Sequence, residues 1–254
     1  MLELEYFQVS DVGRVRDHNE DYLGCAPPIA PEKERTQGWL FALADGVGGQ
    51  DLGEVASRTA VETLLAGFRK SQDGEPHRVL LPRLVQAANA KVFETGLASA
   101  PGGVRMSTTL VACALRFDRV VISHVGDSRC YSIRHGIQTR LTRDHVVANT
   151  VENETRNLLT RSIGNSMFVS VDTAEHLLQP GDVLLLCSDG LHGSVRGGEM
   201  AAIVSRERDL KNAAAELVGL ANERDGSDNV SILLVRVRNV ERIGMYRGRP
   251  YKLA

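Results

Sequence analysis

The chain has 254 residues, and 30 lysines and arginines against 32 aspartates and glutamates leave a formal charge of -2. That balance argues against a nucleic-acid binder, which needs a basic excess or stripe. With 43% hydrophobic and 24% charged residues the chain is globular rather than disordered, and long enough to bury a core without covalent staples. Taken in chain order, an apolar run predicts a first strand over Leu4–Ser10, followed by a loop over Ala26–Gln37 and a strand over Trp39–Ala44. From Leu52 onward Val55, Ala56, Ala60, Val61, Leu64, Leu65 and Phe68 recur at helical spacing. After a loop over Ser71–His77 a second helix carries Leu80, Leu81, Leu84, Val85, Ala88, Val92 and Phe93, and Ser99–Val104 reads as a loop.

Strand-like runs then follow one another: Thr108–Leu115, Val120–Val125, Arg129–Arg134, Ser170–His176 and Asp182–Ser188. A helical pair, Gly198–Ser205 and Leu210–Asn222, precedes the last strand, Val230–Val237. Strict alternation of strand and helix is missing, which disfavours a doubly wound parallel sheet. The order fits an α+β fold, an antiparallel β-sandwich of two sheets flanked by helices on both faces. Without a Gly-, Pro- or Ser-rich linker the chain reads as one domain over residues 1–240. Residues 241–254 form a basic tail with Arg242, Arg247, Arg249 and Lys252, read as a solvated extension.

The four cysteines, Cys25, Cys113, Cys130 and Cys187, form no C-x-x-C pair, which argues against a structural zinc site. The start MLELEYFQVSD lacks the basic and apolar regions of a signal peptide, and no run reaches bilayer length. The expectation is a cytoplasmic protein with reduced thiols and no membrane or nucleic-acid partner.

Chemistry concentrates where strands end. Asp45 follows WLFALA and precedes Gly46-Val47-Gly48-Gly49; Asp127 follows VVISHVG; Asp189 follows DVLLLCS; Asp228 stands just before VSILLV; Glu20 and Asp21 close the stretch after the first strand. One Asp-Gly is an ordinary turn. Several carboxylates at the mouths of buried strands repel one another if the strands converge, unless a cation lies between them. A shell of carboxylates, carbonyls and water suits Mg²⁺ or Mn²⁺ rather than zinc or copper. Glycine after Asp45 lets the backbone approach closely enough to offer its carbonyl.

Arg16-x-x-Asn19-Glu20-Asp21, Ala44-Asp45-Gly46-Val47-Gly48-Gly49, Gly126-Asp127-Ser128-Arg129, Ser188-Asp189-Gly190 and Ser227-Asp228-Asn229-Val230 stand in this order. Together they resemble the metal-dependent serine/threonine protein phosphatases (the PPM, or type 2C, family), particularly the compact bacterial catalytic domains, over Ser10–Val237. The resemblance implies a β-sandwich flanked by helices, with the metal centre at one end between the sheets. It implies that Asp45 bridges two metals and that the Gly46 carbonyl completes the second metal's shell. Asp189 and Asp228 would hold the first metal, with Glu20 and Asp21 acting directly or through waters. Asp127, with Asp189, resembles the positions of a third metal, and Arg16 matches the arginine that grips the substrate phosphate in a planar fork.

The implied reaction is hydrolysis of phosphoserine and phosphothreonine monoesters by a hydroxide bridging two Mg²⁺ or Mn²⁺ ions, without a protein nucleophile. The implied partners are a phosphorylated protein substrate and an opposing serine/threonine kinase, in signalling. The alternatives are a catalytically silent phosphoprotein-binding or sensing pseudoenzyme and a hydrolase of small phosphate esters. Two departures stand out. Val47 replaces a histidine proposed in some eukaryotic members to protonate the leaving alkoxide, so a metal-bound water near Asp127 would have to be the acid. The flap that Asp144 and His145 open is short, with only Val146–Leu158 between them and Leu159-Thr160-Arg161. No P-loop, G-x-S-x-G or H-E-x-x-H pattern is present. His18, His124, His145 and His192 read as solvated or core histidines, of which His145 lies at the flap entrance.

Overall fold

The computed structural model describes residues 1–47, 52–99, 102–151, 154–246 and 249–252, so Gly48, Gly49 and Arg247 lie outside the described residues. Its first half holds β1 (Glu3–Asp11), β2 (Asp21–Ala26), α1 (Pro31–Thr36), β3 (Trp39–Asp45), α2 (Gly53–Arg69), α3 (His77–Ala98), β4 (Leu110–Arg116) and β5 (Arg119–Val125). Then come β6 (Arg129–Arg134), β7 (Ile137–Arg140), β8 (Val146–Val151), β9 (Glu154–Leu159), β10 (Asp172–Leu177) and β11 (Val183–Cys187). The chain closes with α4 (Asp189–Ser194), α5 (Gly197–Arg206), α6 (Leu210–Arg224), β12 (Val230–Asn239), β13 (Ile243–Tyr246) and β14 (Arg249–Lys252).

Two five-stranded antiparallel sheets face each other, one in the order β1-β12-β11-β6-β7 and the other β10-β5-β4-β3-β2. Side chains alternate between strand faces, and here both faces are covered. On β4, Val111, Cys113 and Leu115 point between the sheets, whereas Leu110, Ala112 and Ala114 pack with Leu64, Phe68 and Leu81 of α2 and α3. On β11, Leu184 and Leu186 face inward, whereas Val183, Leu185 and Cys187 meet Met200, Val204 and Leu217 of α5 and α6. Burial on both sides explains why these strands read as unbroken apolar runs. The result is the expected helix–sheet–sheet–helix α+β sandwich.

An aromatic group joins the sheets at the start of β3. Tyr6 of β1 lies edge-on to Phe41 with ring centroids 5.2 Å apart, and Trp39 stacks beside Phe41 at 6.1 Å. The opposite end of β3 is Asp45.

Several elements lie where the sequence predicts loop or tail. β2, whose DYLGCA mixes an acid and a glycine into the run, pairs with β3; Gly24 is required there because a Cβ would stand 2.7 Å from Leu65 Cδ1. α1 is a six-residue helix with no buried residue, so it shows no apolar stripe. In the flap β8 pairs antiparallel with β9 from Val146 opposite Leu159 to Val151 opposite Glu154. The basic tail is no plain solvated extension, because β13 pairs with β14, Ile243 is 7% exposed, and buried Glu241 receives Arg35 at 3.0 Å. Among the described residues no helix is long and apolar enough to cross a membrane.

Candidate metal centre

The carboxylates that end separate strands meet at one end of the sandwich. Asp21 opens β2 and stands directly opposite Asp45, the last residue of β3, in the antiparallel register. Asp127 lies in the turn between β5 and β6, Asp189 starts α4 after β11, and Asp228 precedes β12. One sheet therefore contributes Asp21 and Asp45, the other contributes Asp189 and Asp228, and Asp127 lies in the turn that crosses from one sheet to the other.

The backbone of Asp45 is fixed from both sides. Its N–H donates to Thr109 Oγ1 at 3.0 Å, and its carbonyl accepts from Thr109 N–H at 2.8 Å and Thr108 Oγ1 at 2.7 Å. Thr109 Oγ1 also lies 2.6 Å from Ser128 Oγ, which ties Asp45 to the Asp127 turn. Gly46 N–H donates to the Glu20 carbonyl at 3.1 Å. A Cβ at Gly46 would meet the Gly53 carbonyl oxygen at 2.5 Å and that of Glu20 at 2.8 Å, so only glycine brings this backbone so close.

The electrostatics are those of crowded anions. Burial pushes the Asp45 carboxyl well above the usual range, and Asp21, Asp189, Asp127 and Asp228 push it further. Burial lifts Asp21 to about 7 against the pull of the Ser231 and Ser188 hydroxyls, with Asp189 and Asp228 adding to the rise. Asp127 is raised to about 6 by burial and Asp189, and Asp189 is raised by burial and Asp228. Glu20 is raised by burial, against the pull of Arg16. Among the described residues the guanidinium paired with these acids is that of Arg16, 2.9 Å from Asp228 Oδ2 with 42% of its side chain exposed.

Asp21 Oδ2 is buried and has no hydrogen-bond partner. A buried oxygen left unpaired among like charges is costly unless a cation completes it. The donors are all oxygen: five aspartates, Glu20 and the Gly46 carbonyl. Such a set fits Mg²⁺ or Mn²⁺.

A second set of residues orients the first, and the sequence patterns missed most of it. Asn229 accepts the Glu20 N–H at 2.8 Å and donates to the carbonyls of Val12 at 2.9 Å and His18 at 3.0 Å. Asn19 accepts the Asp21 N–H at 3.0 Å. His192, whose pKa burial lowers to about 4, has Nε2 3.0 Å from the Asp127 carbonyl, so this neutral ring holds the turn as a donor. Asp144 sits behind the centre in a forked pair with Arg129, at 3.0 and 2.7 Å. Buried His145 brackets Gly126: its N–H donates to the Gly126 carbonyl at 3.0 Å and its Nδ1 accepts the Gly126 N–H at 3.1 Å. His145, His124 and Asp172 bring potential ligand atoms within 4.8 Å of one another, but Arg161 already lies on Asp172 Oδ1 at 2.7 Å and supplies the cation. Val47 is half-buried beside Gly46 and has no titratable proton.

Comparison with known proteins supplies independent context. A family profile described as protein phosphatase 2C matches residues 16–231. The chain is 33% identical over 257 residues to the serine/threonine phosphatase Stp of Listeria innocua, covering 94% of this chain and 96% of that protein. The serine/threonine phosphatase of S. agalactiae superposes with a TM-score of 0.78 at 27% identity, over 92% of this chain and 100% of that one. The catalytic domain of the phosphatase PstP, solved with two manganese ions, superposes with a TM-score of 0.76 at 27% identity, over 94% of this chain and 100% of that one.

Proposed function

Because the chain belongs to the protein phosphatase 2C family, we propose that its carboxylate centre hydrolyses phosphoserine and phosphothreonine monoesters on protein substrates. The enzyme is a protein-serine/threonine phosphatase that uses Mg²⁺ or Mn²⁺. In this reading Asp45, the Gly46 carbonyl, Asp189 and Asp228 would hold two ions, with Asp45 shared between them and Glu20 and Asp21 acting directly or through waters. Asp127 with Asp189 offers a third position. Ions held there would lower the pKa of a bound water, which would supply the attacking hydroxide of this reading, and would offset charge on the phosphoryl oxygens.

The chain's own residues do the rest. Arg16 already turns its fork toward the centre, on Asp228. A phosphate dianion arriving there would take two parallel N–H donors, which fixes the phosphorus for in-line displacement. Thr109, Ser128, Asn229 and His192 hold the carboxylates so that little reorganises as charge develops. In the same reading residues 1–240 are the catalytic domain and 241–254 a basic appendage. The protein acts in the cytoplasm, in signalling, against a serine/threonine kinase.

The observation that carries this reading is the buried Asp21 Oδ2 beside Asp45, without a hydrogen-bond partner among the described residues, in a centre where the acids outnumber the guanidinium groups of Arg16 and Arg129 near them. A pseudoenzyme would be expected to have lost a metal carboxylate, and each implied acid is present. The test is turnover of p-nitrophenyl phosphate with Mn²⁺, with EDTA and with Asp45→Ala, followed by a phosphothreonine peptide. Turnover of both substrates that EDTA and the substitution abolish supports the proposal. Turnover of the aryl ester alone identifies a small-ester hydrolase instead, and Mn²⁺ uptake without turnover identifies a silent binder.

A further inference from the structure

β4 and β5 begin and end at opposite poles of the sandwich. Leu110 and Val125 adjoin the carboxylates, whereas Arg116 and Arg119 flank the turn at the other end, about 20 Å away for a strand of this length. A cavity of 480 Å³ opens there, and it shares no residue with the metal centre. Its polar lining sets Arg35, Arg78, Arg116 and Arg119 against one carboxylate, Glu175, while Phe117 and Ile243 give it an apolar wall.

The four cations are not equivalent. Arg35 pairs with Glu241 at 3.0 Å, Arg119 with Glu175 at 2.7 Å, and Arg78 lies 3.9 Å from Glu175. Among the described residues Arg116 has no carboxylate within 4 Å. Its protein partners are the Thr36 carbonyl, which takes Nη1 at 2.6 Å, and the Phe117 ring beneath it at 5.6 Å. Burial lowers its pKa, and no acid opposes the shift. His77, which also lines the cavity, is held neutral by burial at about 4 and adds no counter-charge. A guanidinium offers five donors in a plane, and an arrangement that desolvates it without an anion is unfavourable by itself. Phe117 holds φ +62, a left-handed conformation that a bulky residue adopts at a cost, and it is the residue under this cation.

We propose that this cavity binds a small organic phosphate, with the phosphate on the free edge of Arg116 and the carbon body against Phe117 and Ile243. Glu241, Glu175 and Asp118, the last 3.7 Å from Arg119, offset three of the four arginines and leave the charge of Arg116 to attract an anion. The volume lies in the range of small-molecule sites and exceeds what an inorganic phosphate would fill. The site is independent of the reaction at the other pole.

Calorimetry with phenyl phosphate on the full chain in EDTA tests this, because the metal-free carboxylate centre repels anions and turns nothing over. The expected result is one saturable site, about tenfold weaker in Arg116→Met, with no binding of phenol and weaker binding of inorganic phosphate. No saturation by about 10 mM, or equal affinity in wild type and a folded Arg116→Met, overturns the proposal. Should Arg116→Met fail to fold, the exposed rim decides. Arg78→Ala should then weaken phenyl phosphate about threefold, and an unchanged affinity overturns the site.

Discussion

The side-chain carbonyl of Asn229 accepts the backbone N–H of Glu20 at 2.8 Å, although 209 residues separate the two. The same side chain donates to the carbonyls of Val12 and His18. One amide therefore holds the Arg16–Asp21 stretch against the start of β12, with Glu20 on one side and Asp228 on the other. Asn229→Ala should lower stability by about 2–3 kcal/mol, since three hydrogen bonds go and buried groups remain unpaired. It should also weaken Mn²⁺ binding. Urea denaturation and a Mn²⁺ titration check both, and an unchanged titration would contradict the positioning role.

Asp45→Asn should separate stability from activity. It removes a carboxyl that the metal-free fold must either protonate or hold as an anion against four other acids, so the metal-free protein should melt at a higher temperature than wild type. Turnover should fall by on the order of 10³-fold, because the anion proposed to bridge the ions is gone. Melting in EDTA together with p-nitrophenyl phosphate kinetics tests the pair. A variant that melts lower in EDTA would mean that the crowding is not repulsive.

The pH dependence of the metal-free protein has a definite sign. Folded Asp21 keeps its proton up to about 7, whereas an unfolded aspartate releases it near the ordinary value of 3.8. The folded state thus binds more protons across that window, and stability falls as pH rises through it. His77 and His192, both at about 4 when folded and near 6.5 when unfolded, pull the other way up to about pH 7. Melting temperature in EDTA, taken relative to that of Asp21→Asn so that the histidines cancel, should therefore drop between about pH 4 and 7 and level off above. Saturating Mn²⁺ should abolish the drop, and a flat profile in EDTA would show that Asp21 is not proton-binding in the fold.

Val47 beside Gly46 cannot deliver a proton to a leaving alkoxide, and in the proposed reading a water on the Asp127 side of the centre would deliver it. Asp127→Ala should slow hydrolysis of an alkyl phosphate far more than that of p-nitrophenyl phosphate, whose leaving group needs no proton. Parallel kcat measurements on the two esters decide the matter, and equal slowing removes Asp127 from proton delivery.

The sandwich was legible in the sequence because its central strands are covered on both faces. β3, β5, β11 and β12 become continuous apolar runs, each with an acid at one end, Asp45, Asp127, Asp189 and Asp228, that the fold then delivers to one pole. β2 escaped notice because its opening residue, Asp21, reads as a loop acid and Gly24 interrupts its pattern; its place is set by α2 packing against it. Among the described residues β8 pairs only with β9 and β13 only with β14, so none of them joins the two covered sheets whose strands become apolar runs. At the site, the acids could be named one by one, but the anchoring hydrogen bonds could not. Asn229 with Glu20, Thr109 with Ser128, and His192 with Asp127 are encounters between distant stretches, which no local spacing announces.

The sandwich behaves as a bound book. Tyr6, Trp39 and Phe41 sew its spine with contacts indifferent to pH or salt. The opposite margin carries acids from both covers, and these part company whenever nothing positive lies between the pages. Stripping the ions should accordingly loosen one margin while the spine stays sewn, so amide exchange would quicken around Asp45 and Asp189 and hardly change at Trp39.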